Sequence, residues 1–200
     1  MYSEFGIKEE ILELSKQVEK DCSAQFERIE EIKEINSLKV LSAFQKCGLS
    51  EMHMQSASGY GIDEPGRNKI EEIYAEVFKT EDALVRAQLI SGTHALAVTL
   101  FALLRPGDKM ISITGAPYDT LQTVIGVGKE ASPSSLKAYG VKYEQIDLLN
   151  DDFDLEAIKE RVAQKDIKLI EIQRSKGYST RKSLTIDKIE KAIKAIREVN

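Results

Sequence analysis

Apolar residues recur at helical spacing from the start of the chain: Ile7, Ile11, Leu14, Val18, Cys22, Phe26, Ile29 and Ile32, with Glu and Lys between them. This pattern predicts an amphipathic helix, or a broken pair, lying on something larger. A second helical run covers Leu38 to Lys46 and stops at Cys47-Gly48, where glycine supplies a left-handed turn. Together they form an N-terminal helical arm whose charge run (Glu30, Glu31, Lys33, Glu34) is a solvated face. Residues 53–68 have no period and read as a loop, and a helix begins near residue 66, just after Pro65, with Ile70, Ile73, Tyr74, Val77 and Phe78 as its stripe.

Beyond that point the period changes. Ala83 to Ile90 predicts a short strand, Ser91-Gly92-Thr93 a turn, and His94 to Leu104 a buried helix closed by Arg105-Pro106-Gly107-Asp108. Lys109 to Thr114, Val141 to Ile146 and Ile167 to Ile172 predict strands, the first and last apolar on both faces. Helices are expected at Asp119 to Ile125, Asp154 to Val162 and Thr185 to Val199, with a loop over Gly126 to Ser135. Strands alternating with helices give an α/β fold, a mostly parallel sheet sandwiched by helices. The expected organisation is a helical arm and loop over 1–65 and part of a larger α/β domain over 66–200.

Composition narrows the function. The chain has 200 residues, 42% hydrophobic and 30% charged, with 28 Lys and Arg against 33 Asp and Glu and a net charge of −5. Its basic residues are interspersed with acidic ones, so no nucleic-acid partner is expected. The longest apolar stretch, Ala95 to Leu104, is too short to cross a bilayer, and no signal peptide is read at the N-terminus, so no membrane partner is expected and the protein is read as cytoplasmic. Cys22 and Cys47 have no partner at metal-ligand spacing; they are read as free thiols, and no metal site is expected.

Ligands of parallel sheets bind beyond the carboxyl ends of the strands, which places the loops Ser91–His94, Gly115–Tyr118 and Gln173–Tyr178 on one rim. In the first loop Ser91, Gly92, Thr93 and His94 open a helix, presenting backbone N–H groups to an anion; the same pattern also serves as an ordinary helix cap. Tyr118 either stacks on a flat heteroaromatic ligand or is anchored by its hydroxyl for structural reasons. Arg174 is either a bidentate anchor for a carboxylate or phosphate or a plain surface arginine.

The run SGTHALAVTLFALLRPGD from Ser91 to Asp108, with the strand and Tyr118 after it, resembles the large domain of fold-type I pyridoxal-phosphate enzymes of the cysteine/methionine metabolism group. More narrowly, SGYGIDEPGRNKIEEIYAEVFKTEDALVRAQLISGTHA and IQRSKGYSTRKSLTI resemble carbon–sulfur lyase-like proteins involved in aluminium resistance, relatives of methionine γ-lyase. The resemblance covers essentially the whole chain. It implies pyridoxal 5'-phosphate as cofactor, held by Ser91, Gly92 and Thr93 and stacked on Tyr118, with His94 either touching it or making a structural hydrogen bond. It further implies a sulfur-containing amino acid as substrate, its α-proton abstracted and its β or γ substituent eliminated, with Arg174 a candidate for its carboxylate. A homo-oligomer, dimer or tetramer, follows as well, in which Tyr60 and, as a weaker match, Arg67 reach the neighbouring subunit's cofactor phosphate.

Such enzymes need a lysine for the cofactor Schiff base and an acid against the pyridine nitrogen. In the family both come later than residue 200, so the chain reads as the N-terminal half of the enzyme. Lys176, the lysine on the rim, belongs to a contact loop in the family and is the low-ranked alternative. Without covalent chemistry the same loops suit a phosphate- or nucleotide-binding α/β module, and a noncatalytic association fragment is a third alternative.

Overall fold

The computed structural model describes residues 2–56, 58, 64–128 and 132–200. The chain divides into two compact units, Met1–Ala87 and Gln88–Asn200.

The first unit is helical. After a 3-10 turn at Tyr2–Phe5 come α1 (Glu9–Asp21), α2 (Ser23–Lys46), a second 3-10 turn (Glu51–Met54) and α3 (Pro65–Phe78). The expected broken helical pair is present, with its break at Cys22, but the second run expected from Leu38 to Lys46 is not separate: it is the end of α2. Asn36 and Ser37 are turn formers in isolation, yet Asn36 bonds back to the Ile32 carbonyl at 2.8 Å and the helix runs through. Pro65 occupies the first turn of α3, where its missing N–H costs nothing.

The strand expected within 83–90 is absent. The Val85 N–H donates to a Glu71 carboxylate oxygen at 2.9 Å, so a side chain of α3 takes a backbone donor that a ladder would have used, and the Arg86 guanidinium pairs with the same carboxylate.

The second unit is an α/β layer structure: α4 (Gly92–Leu103), β1 (Lys109–Ser112), α5 (Asp119–Ile125), β2 (Lys142–Gln145), α6 (Leu155–Val162), β3 (Leu169–Glu171) and α7 (Ile186–Arg197). The three strands are parallel in the order β2-β1-β3, with Ile111 opposite Glu144 on one side and Ile170 on the other. Alternation along β1 sends Met110 to one face, packed with Leu100, Leu104, Leu121 and Ile125, and Ile111 and Ile113 to the other, packed with Ile158, Val162 and Ala192. Asp154 and Thr185 cap α6 and α7 by accepting from Ala157 N and Lys188 N.

The expectation of a buried α4 is corrected. Leu100 is buried, but Leu96, Val98, Phe101 and Leu103 are 41%, 42%, 37% and 54% exposed. The helix is apolar on every side, and among the described residues only one side of it is covered, by α5 and the Met110 face of the sheet. Among the described residues no helix is long and apolar enough to cross a membrane.

At the amino ends of the strands four charges interlock. Arg161 on α6 donates Nε to Glu144 at 2.5 Å and NH1 to Asp166 at 2.7 Å, and Lys109 reaches Asp166 at 2.5 Å and Glu144 at 3.0 Å. Arg161, then Lys109, holds the Asp166 carboxyl well below the usual carboxylate range. The helix α5 is stopped by Gly126 at φ +89, where an added Cβ would lie 2.8 Å from Ser135 Cβ and overlap its hydroxyl. Gly126→Ala is expected to lower unfolding stability by at least the ~1–2 kcal/mol of a left-handed alanine, with the steric overlap adding to it. Urea denaturation measures the loss, and an unchanged midpoint refutes it.

Candidate functional site

The α4 helix runs back along β1, so its first turn returns to the carboxyl ends of the strands. Ser91 Oγ accepts the His94 N–H at 3.1 Å, and Ser91 O accepts from Ala95. The cap therefore uses the third N–H of the helix and leaves those of Gly92 and Thr93 without an acceptor among the described residues. A Cβ built on Gly92 meets nothing within 4 Å, so the approach to these two donors is open. His94 turns its ring back, and its Nδ1 accepts the Ile90 N–H at 3.4 Å, which puts any ring proton on Nε2.

Hydroxyls converge on the same point. Thr93 Oγ1 lies 3.2 Å from the Tyr118 hydroxyl and 3.1 Å from Thr120 Oγ1. Tyr118 arrives there because β1 continues through buried Ile113 and Thr114 into Gly115, whose φ of +79 turns the chain out of the sheet. A side chain at Gly115 would press on Asp147, with Cβ 3.1 Å from its Oδ1. Tyr118 then becomes the residue before α5, half-buried, and its N–H donates to Gln173 Oε1 at 2.9 Å. The first and second of the three expected loops are thereby joined through Thr93 and Tyr118, and the second and third through Gln173.

Arg174 is the residue after Gln173 and is exposed, with its carbonyl accepting from Leu184 N at 3.2 Å. Lys176, also exposed, lines a cleft of about 440 Å³ together with Gly115, Asp147, Gln173 and Arg181. Arg67 is on α3 of the first unit, paired with Glu64 at 3.4 Å. Tyr60 lies outside the described residues. The sequence reasoning passed over Thr120 and Gln173, and neither carries a signal of its own: a threonine in a helical first turn and a glutamine at a strand end are ordinary, and only the tertiary pairing gives them a role.

Residues 11–200 match the methionine gamma-lyase family. The chain belongs to that family. Among solved structures it is similar to a candidate cystathionine beta-lyase involved in aluminum resistance from Clostridium acetobutylicum, with TM-score 0.92 and 46% identity over 99% of this chain and 47% of that one. A carbon-sulfur lyase involved in aluminum resistance from Clostridium novyi NT superimposes with TM-score 0.91 at 40% identity, over 99% of this chain and 47% of that chain. Uncharacterized protein YnbB of Bacillus subtilis (strain 168) is 43% identical over 185 residues, 92% of this chain and 44% of that protein. The chain thus spans about half the length of these relatives. The α/β architecture with its three-stranded parallel sheet and N-terminal helices is that of the lyase structures.

The methionine gamma-lyase family implies pyridoxal phosphate. Two open backbone N–H groups at a helix start, backed by the Thr93, Thr120 and Tyr118 hydroxyls, form a donor set of the kind that suits a phosphate, and the half-buried Tyr118 ring stands beside it.

Below the rim, on the Met110 face, is an acid that this donor set does not use. Glu171 Oε2 is buried with no hydrogen-bond partner among the described residues, and burial pushes the carboxyl above its usual value, offset in part by the Ser112 hydroxyl. Nearby Tyr143 is pushed up to about 12, mainly by burial and then by the charges of Glu171 and Asp147. A carboxyl with a raised folded-state pKa binds its proton more tightly when folded, so its penalty grows as pH rises through the folded value. Glu171→Gln is expected to stabilise the protein by about 1 kcal/mol at about pH 8 and to change little at about pH 4. Thermal unfolding at both pH values checks this, and a variant less stable at the higher pH contradicts it.

Proposed function

We propose that the whole protein is a pyridoxal-phosphate-dependent carbon–sulfur lyase acting on a sulfur-containing amino acid, and that this chain supplies the phosphate cup and stacking ring. The observation that carries the proposal is the pair of unaccepted N–H groups at Gly92 and Thr93, with Thr93 Oγ1 held 3.2 Å from the Tyr118 hydroxyl. When bound, pyridoxal phosphate supplies an electron sink for the charge left by loss of the substrate α-proton, which permits elimination at the β or γ carbon. Gly92 and Thr93 bind the phosphate dianion through N–H groups and the positive end of α4. The Thr93 hydroxyl, placed between Tyr118 and Thr120, is free to donate a further hydrogen bond to it when those two hydroxyls donate to Thr93. The Tyr118 ring covers one face of the pyridine and keeps water from it. Exposed Arg174 at the end of β3 is a candidate anchor for the substrate carboxylate. The base and Schiff-base lysine come, on this reading, from the part of the protein that corresponds to the second half of its relatives; Lys176 is the alternative. The link to aluminium resistance is inherited from the relatives and, on this reading, indirect.

The test adds pyridoxal phosphate to the full-length protein, reduces with borohydride and maps the adduct by mass. A single modified lysine is expected; phosphate binding without an adduct favours a noncovalent phosphate-binding module instead. Thr93→Val is expected to weaken pyridoxal phosphate binding about tenfold and to weaken phosphate-free pyridoxal, which loses only the hydroxyl tie on the Tyr118 ring, by less. Equal losses for both ligands would remove Thr93 from the phosphate site.

The protein is further proposed to be a homo-oligomer. Along α1 and α2 the apolar stripe faces outward, with Leu14 60%, Ile29 57% and Ile32 51% exposed, and so long an apolar face is costly in water. Replacing Ile29 and Ile32 by Glu is expected to shift the full-length protein toward smaller species in sedimentation velocity. A wild-type monomer would refute the proposal outright.

A further inference from the structure

We infer that Gln173 is a positioning residue for the ring of Tyr118, clamping the root of that side chain to the end of β3. The inference rests on the reading of Tyr118 as the stacking ring and extends it to a residue outside the cup.

A tyrosine ring has two rotatable bonds, so its plane is set once its backbone and its hydroxyl are both held. The tip is held by Thr93 at 3.2 Å. At the root, the Tyr118 carbonyl accepts from Leu121 and Gln122 at 3.0 Å as α5 begins, but its N–H precedes the helix and has no helical acceptor. Pro117 before it brings no N–H to the loop. The acceptor that fills this gap is the Gln173 side-chain oxygen at 2.9 Å, 55 residues away in the chain.

Gln173 is itself held. Its own N–H donates to Thr114 Oγ1 at 3.0 Å, across the β1–β3 pair, and its side-chain Nε2 donates to the Ser175 carbonyl at 3.2 Å. Arg181 closes the same loop, donating NH2 to Ser175 O at 2.7 Å and NH1 to Lys182 O at 2.9 Å. A carboxamide is the side chain that does both tasks, since it accepts with one arm and donates with the other. Glutamate at this position would keep the Tyr118 bond and lose the Ser175 bond; methionine, of similar length, would lose both.

The experiment uses the full-length protein with Q173M and Q173E. In the cofactor-free state, amide hydrogen exchange at Tyr118 is expected to speed up about tenfold in Q173M and to stay near wild type in Q173E. On addition of pyridoxal phosphate, Q173M is expected to bind about threefold to tenfold more weakly with a displaced visible absorbance maximum, and Q173E, whose charge opposes the phosphate, is expected to restore the maximum but not the affinity. Should Q173M not fold, Q173N serves, because its amide is one methylene too short for the span. Unchanged Tyr118 exchange in Q173M overturns the clamp, as does an absorbance maximum displaced equally by Q173M and Q173E, which would assign the effect to packing or to the Ser175 bond. Faster exchange with unaltered cofactor affinity and spectrum overturns the positioning role. If wild type binds no pyridoxal phosphate while Q173M still frees the Tyr118 amide, the lyase reading fails and the clamp stands.

Discussion

Everything in the second unit depends on β1 lying at the centre of a parallel sheet. A central strand has ladder partners on both edges and side chains buried on both faces, so it must be apolar, short and exact in register. Met110, Ile111 and Ile113 meet that demand with essentially no exposure. Parallel pairing then forces each connection to cross the sheet by way of a helix, and every strand delivers its carboxyl end to the same rim. The 12-residue helix α4 runs back along this strand and so brings Ser91 to His94 to that rim as well. The meeting of Thr93 with Tyr118 is a consequence of topology before it is a consequence of any side chain.

The strand segments were legible because β-branched, two-face apolar runs such as KMISIT and KLIEI have few other homes, and the structure confirms all three of these strands, each within the expected segment. The segment 83–90 looks equally apolar in sequence, yet it makes no ladder among the described residues, and its Val85 N–H is bonded instead to the Glu71 side chain of a helix. Periodicity reports how a segment can be buried and is silent on which partner satisfies its backbone. The same limit explains α4: its composition says that all its faces avoid water, and the described chain covers one of them.

At the site, sequence reasoning favoured residues whose chemistry is conspicuous and missed those whose role is relational. A loop that begins Ser-Gly-Thr before an apolar run announces a helix start, and an aromatic after Gly-Ala-Pro announces a turn. Gln173 announces nothing, and Arg174 beside it draws attention through its charge. Yet Gln173 makes the contact between two rim loops, while the Arg174 side chain faces solvent. Glu171 is a related case: in sequence it is one polar residue in an apolar strand, and the alternation of β3 turns it onto the Met110 face, beside Ser112, with one oxygen unpartnered.

The two ends of the sheet are held by different kinds of bond, and the difference has a physical reason. At the amino end, charges bind charges: Lys109, Glu144, Arg161 and Asp166 saturate one another near the surface, where each pair contributes modestly but the geometry of Arg161 between two carboxylates fixes α6 against β2. At the carboxyl end the loops are tied together by amides and hydroxyls, through Gln173, Thr114, Thr93 and Tyr118. Among the described residues neither Arg174 nor Lys176 is in a salt bridge. A rim stapled by ion pairs would spend its cations on internal carboxylates and oppose an incoming anion with their charge. Neutral ties order the loops without that competition, so the positive end of α4 and the exposed cations keep their full attraction for a phosphate or carboxylate from solution.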